Sequence, residues 1–265
     1  MSEIFVHEFD VSFRLKSRPD VSYSFDEPLE LEYGKIRLET KNGAICGRMT
    51  ISLEKDDYDL VEREALKELE KLASILTLLF GTGLLIEDMR MEHKPLIEYQ
   101  GNVIKVTLFE AITVKVNVAF KEELKFFKEE LSKIKAELEG LKEKINEWER
   151  KGKGVLKAIK WWRKGYLEED GVDKFLDYFI SFEMLASTKG YKKKYSNWAK
   201  MFSKDYSITY ELNGKRTISW IRNAIMHEPG PEKDEAEKLA NQYADRFGKE
   251  LLKAIKKIII EEEPS

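Results

Sequence analysis

Between residues 120 and 148, apolar side chains fall at Phe120, Leu124, Phe127, Leu131, Ile134, Leu138, Leu141, Ile145 and Trp148. The steps alternate between four and three without a miss, and Lys and Glu fill the flanks. That is a heptad seam over four repeats. A helix in this register is about 45 Å long at 1.5 Å per residue, and Gly140 inside it costs roughly 1 kcal/mol against Ala. One side of it must be covered by something apolar. A twin helix in a dimer, a helix of the same chain or a sheet would each serve. The seam also divides the chain: residues 1–120 on one side, and residues 121–265, opened by the long helix 121–150, on the other. Lys151-Gly152-Lys153-Gly154 ends the helix and is the expected hinge.

The first part reads as α+β, an antiparallel sheet with a packed helix. Phe5, His7, Phe9, Val11, Phe13 and Leu15 alternate with polar neighbours and predict a strand with one buried face. His7 reads as an ordinary core or edge histidine. Further strands are expected at 29–33, 36–40 and 45–53, with Gly34-Lys35 and Asn42-Gly43 as turns of an antiparallel meander. Asp56, Asp57 and Asp59 then supply helix-start chemistry. Leu66, Leu69, Leu72, Ala73, Leu76, Leu79 and Phe80 recur at helical spacing up to Gly81-Thr82-Gly83. The apolar run there is too short to span a bilayer. Strands at 84–92 and 103–118 complete this part, and His93 lies in a connecting loop without metal partners.

The second part is all-α. Helices are expected at 155–164, stopped by Gly165, at 172–187, at 196–203 and from near Lys215. A last helix has Pro231 at its start, Glu232, Asp234 and Glu235 in its first turn, and Lys253, Lys256 and Lys257 near its end. These elements suit a helical bundle.

Composition narrows the function classes. Lys and Arg number 46 against 49 Asp and Glu, for a net charge of -3, although 36% of residues are charged. Abundant, balanced charge is a thermophile-like trait, and it lacks the strong positive excess of a duplex-DNA binder. Nucleic-acid contact must therefore be local. The single Cys46 excludes an internal disulfide framework and fits a reducing cytoplasm. The start of the chain has no basic region followed by an apolar signal core, so a cytoplasmic location without membrane partners is expected. Phosphate-binding loops, dinucleotide fingerprints, Cys clusters and His-x-x-x-His helices do not occur in the sequence. No cofactor and no metal are expected.

One segment concentrates polar chemistry. Ile218, Ile221, Ala224 and Ile225 predict a helix with one buried face, which Pro229 and Gly230 end. His227 sits in the last turn, where the helix dipole favours an imidazolium. Asn223, four residues earlier, shares its face, and the long Arg222 side chain can reach the same spot. A guanidinium, an amide and an imidazole at one helix end suit a phosphodiester. Glu183 shares a helical face with Leu176 and Ile180 and flanks Phe179 and Phe182, so it is expected to point inward and to need a cation. Arg222 is the candidate, either as a functional pair in which Glu183 positions the guanidinium or as a structural salt bridge. Lys192, Lys193, Lys194 and Tyr195 interleave cations with an aromatic ring. They either contact single-stranded RNA through phosphates and stacking or form a solvated loop.

Arg222-Asn223-x-x-x-His227 resembles the Arg-polar-x(3)-His signature of the HEPN superfamily (higher eukaryotes and prokaryotes nucleotide-binding domains). Residues 158–165 and 175–186 are similar to the helices that precede that motif in larger prokaryotic members. The likeness covers the part of the chain after residue 155 and is silent on the first half. It implies an α-helical bundle, usually dimeric, and an acidic residue on the helix before the motif, here Glu183. It further implies either a metal-independent endoribonuclease or a non-catalytic dimerisation or RNA- or nucleotide-binding module; in the second case the N-terminal sheet is expected to sense a ligand or partner. A toxin or defence component controlled by an antitoxin or regulatory protein is a third expectation. In the nuclease reading, RNA is cleaved through its 2′-hydroxyl to a 2′,3′-cyclic phosphate, with Arg222, Asn223, His227 and Glu183 at the site.

Overall fold

The computed structural model describes residues 7–18, 21–31, 36–53, 57–93, 98–100, 103–105, 122–152, 154–191, 197–212, 214–227 and 229–261. The protein is mixed α+β, with an N-terminal antiparallel sheet of five strands followed mainly by helices. Packing divides it into two compact units, residues 1–73 with 85–139 and residues 74–84 with 140–265. The division expected at residue 120 lies outside the described residues.

In the first unit the strands are β1 (His7–Lys16), β2 (Val21–Phe25), β3 (Leu29–Leu31), β4 (Ile36–Lys41), β5 (Ala44–Leu53) and β6 (Leu85–His93). Five of them form one sheet in the order β3-β4-β5-β1-β6, with every neighbour antiparallel. The alternation of the first strand is realised: Phe9, Val11, Phe13 and Leu15 are all buried. Asn42 and Gly43 both take positive φ, 51° and 70°, and make the two-residue turn that joins β4 to β5. The simple meander is not adopted, because β1 inserts between β5 and β6. The side chain of His7 and the turn at Gly34-Lys35 lie outside the described residues, as does 106–118 of the strand expected there. Helix α1 (Tyr58–Phe80) is capped by the Asp57 carboxylate, which accepts from the backbone N–H of Leu60 at 3.0 Å. Its buried stripe holds Val61, Ala65, Leu69, Leu72 and Leu76, while Leu66 is exposed.

The heptad seam is shorter than its pattern suggests. Phe120 is outside the described residues, and Leu124 belongs to a strand, β9 (Glu122–Phe126), that pairs in parallel with β2. Two short strands, β7 (Glu98–Gln100) and β8 (Val103–Lys105), pair with each other before it. Phe127 is exposed, and helix α2 runs from Lys128 to Arg150. The start is set by Glu130, whose carboxylate accepts from the Phe127 backbone N–H at 3.1 Å, half of a capping box. Within α2, Leu131, Leu138, Leu141, Ile145 and Trp148 are buried within the single chain, and Ile134 is half-buried. An intermolecular coiled coil is therefore not how this stripe is covered.

The second unit carries α3 (Val155–Leu167), α4 (Gly171–Thr188), α5 (Trp198–Asp205), the hairpin β10 (Glu211–Leu212) with β11 (Arg216–Thr217), α6 (Ile218–His227) and α7 (Pro231–Glu261). Helix α3 does not stop at Gly165, because that residue faces the Tyr178 ring of α4. A Cβ there would stand 2.8 Å from the ring, and one on Gly248 of α7 would stand 2.4 Å from it. Tyr178 thus sits where three helices close on each other. Trp162 donates from Nε1 to the Gly248 carbonyl at 2.7 Å, and Ser181 donates to the Ala158 carbonyl at 2.7 Å. Phe175, Phe179, Phe182 and Phe247 form the aromatic centre. Helix α7 runs past its lysines to Glu261 because Ile258 and Ile259 are still buried.

Candidate functional site

Helix α6 begins three residues later than its pattern suggests, after the β10–β11 hairpin. Thr217 caps it, accepting from the Trp220 backbone N–H at 3.0 Å. Ile218, Ile221 and Ala224 are buried, which fixes the rotation of the helix. The polar residues then divide between two faces. Asn223 and His227 are exposed, and Arg222 is half-buried. Among the described residues the His227 imidazole has no hydrogen-bond partner. The Arg222 guanidinium donates from Nη1 to Asn223 Oδ1 at 3.2 Å, which ties the two faces together.

Arg222 and Met226, four residues apart, line a cleft of about 350 Å³ whose other walls come from α3, from Glu168 just past its end, and from α4. Trp161 and Lys164 contribute from α3, and Leu176, Asp177 and Ile180 from α4. Asp177 is its notable feature, being only 5% exposed. Its Oδ1 accepts from the Lys164 ammonium at 3.1 Å, whereas Oδ2 is buried without a hydrogen-bond partner. Burial raises the Asp177 pKa; the Lys164 hydrogen bond and charge oppose this, and Glu168 and Asp173 add to it. The Lys164 ammonium also lies 5.0 Å from the centre of the Trp161 ring.

Glu183 is half-buried rather than buried, and it is not among the residues lining the cleft. It shares the α4 stripe of Leu176 and Ile180, which are themselves half-buried, so the stripe borders the cleft and not the core. Asp177 was missed because a lone acid among aromatics carries no local signal. Lys192, Lys193, Lys194 and Tyr195 lie outside the described residues. Trp162 packs as adjacent tryptophans usually do, while Trp161 is half-buried at the cleft. Among the described residues no group of three or more His, Cys, Asp or Glu could hold a metal ion, and no helix is long and apolar enough to cross a membrane. The chain matches no known family, no curated protein and no solved structure.

Proposed function

We propose that the helical unit is a HEPN-type, metal-independent endoribonuclease that cleaves RNA through 2′-hydroxyl attack. The observation that supports this most is the join at the end of α6. Arg222 stands at the mouth of a cleft while bonded to Asn223, whose face carries an exposed His227. A cation, an amide and a titratable group can then meet one phosphodiester.

In this reading a base removes the 2′-hydroxyl proton and the oxygen attacks the adjacent phosphorus. An acid protonates the departing 5′-oxygen, leaving a 2′,3′-cyclic phosphate and a 5′-hydroxyl. Arg222 stabilises the charge on the phosphorane, and Asn223 holds the guanidinium on the side of the imidazole. Each chain supplies one motif histidine, whereas the reaction uses two proton carriers. A two-fold dimer that brings both His227 side chains to one cleft meets that need.

The test is incubation with assorted single-stranded RNAs in excess chelator, wild type beside His227→Ala and Arg222→Lys. Cyclic-phosphate products from the wild type, absent from both variants, support the reading. Arg222→Lys should fail because an ammonium cannot replace the planar fork. A wild type inert on every RNA would leave a non-catalytic binding module.

A further inference from the structure

The cleft beneath Arg222 holds a buried carboxylate that its own protein leaves half-used. One oxygen of Asp177 is taken by Lys164, and the other is buried without a hydrogen-bond partner. A buried acceptor without a donor is costly to the fold. Lys164 lines the cleft, with its ammonium 3.1 Å from Asp177 Oδ1 and 5.0 Å from the centre of the Trp161 ring. Its side chain is 56% exposed, so it is free to swing aside. Asp177 lines the same cleft as the half-buried Trp161 indole and the apolar Leu176 and Ile180, so a ligand seated there meets its carboxylate where Lys164 now does.

The charges decide what fits. Lys164 and Arg222 oppose a cationic occupant such as an arginine side chain. Glu168, Asp173 and Asp177 oppose a bare anion. A neutral, flat heterocycle with both donors and acceptors suits the mixture, and about 350 Å³ is within the range of small-ligand sites. Among the four RNA bases only guanine sets two donors together, N1–H and N2–H₂, with the acceptor O6 beside them. Adenine and cytosine each turn a ring-nitrogen acceptor toward one carboxylate oxygen, and uracil turns a carbonyl.

We propose that this cleft is a guanine-recognition pocket. Asp177 accepts from N1–H and N2–H₂, Lys164 swings to O6, Trp161 stacks on the base, and Arg222 meets the attached phosphate. As the specificity subsite of an RNA-cleaving enzyme it rests on the ribonuclease reading, but base binding is measured without cleavage.

The experiment is calorimetric titration of the full chain with GMP, AMP, CMP and UMP, then with inosine monophosphate, which lacks the N2 amino group. GMP should bind at least about tenfold more tightly than the other three bases, the span expected of one bidentate contact. Inosine monophosphate should lose about tenfold as well, a ligand-side result that needs no variant. Asp177→Asn sets an amide N–H₂ against the guanine donors and should bring the four nucleotides within about threefold of each other. Equal affinities for all four, no GMP binding at millimolar concentration, or displacement of GMP by arginine amide would each overturn the proposal. If GMP discrimination is found while RNA stays intact, the pocket stands and the ribonuclease reading falls. If RNA is cut without guanine discrimination in binding, the reverse holds.

Discussion

Replacing Asp177 with Asn should stabilise the protein, by an amount that depends on pH. Asp177 is only 5% exposed with Oδ2 buried, and holding a charge there in place of a neutral amide of the same shape costs about 1–3 kcal/mol. Its pair with Lys164 returns well under about 1 kcal/mol, because the ammonium is over half exposed. The net cost of the charged form is therefore about 1–2 kcal/mol. Burial raises the pKa, opposed by Lys164 and assisted by Glu168 and Asp173, so the folded state holds the proton more tightly than the unfolded chain. Wild-type stability then falls as pH rises from the ordinary carboxylate range through the raised pKa, and it levels off above. The Asn variant has no such proton, so the gap between the two should be small at low pH and largest on that plateau. Urea denaturation of both proteins at several pH values reads the gap directly, because titrating groups remote from Asp177 cancel in the difference. At a slope of about 2 kcal/mol per molar, the midpoint should move up by about 0.5–1 M at pH 8. A variant less stable than wild type at pH 8, or a gap that does not change with pH, would show that Asp177 is satisfied after all.

Three further outcomes are expected. Gly248→Ala should lower stability by about 1 kcal/mol, since overpacking a Cβ that meets Tyr178 at 2.4 Å costs about 1–3 kcal/mol and helix propensity returns about 1. Gly140→Ala, with open space around its Cβ, should instead raise the urea midpoint. His227→Ala should reduce RNA cleavage by at least about 10²-fold with an unchanged melting temperature, because the residue is exposed at the end of α6. Light scattering at micromolar concentration should give twice the chain mass; a monomer at all concentrations would remove the composite cleft with its two imidazoles.

What the sequence reveals is what local pattern decides. The alternation of Phe9, Val11, Phe13 and Leu15 and the Asn42-Gly43 turn are local, and both appear in the fold. Where a distant partner decides, the pattern misleads. Leu124 fits a heptad as well as a strand, and it is the parallel pairing of β9 with Val21–Phe25 that makes it a strand. Gly165 reads as a helix stop, yet it is a packing surface for Tyr178. The same distinction governs the site. The spacing of Arg222, Asn223 and His227 puts them at one helix end, and they lie on α6 as read. Leu176, Ile180 and Glu183 share helical spacing, but a face is not a degree of burial, and all three are half-buried. The surface of α4 that carries Phe175 and Phe182 packs in the aromatic centre, Phe179 belongs to both that centre and the cleft, and the stripe of Leu176 and Ile180 borders the cleft. Asp177, a residue along from that stripe, is covered and so carries the unpaired oxygen. Its other oxygen pairs with Lys164 and so ties α4 to α3 at the wall of the cleft, which is why neither helix alone could announce the site.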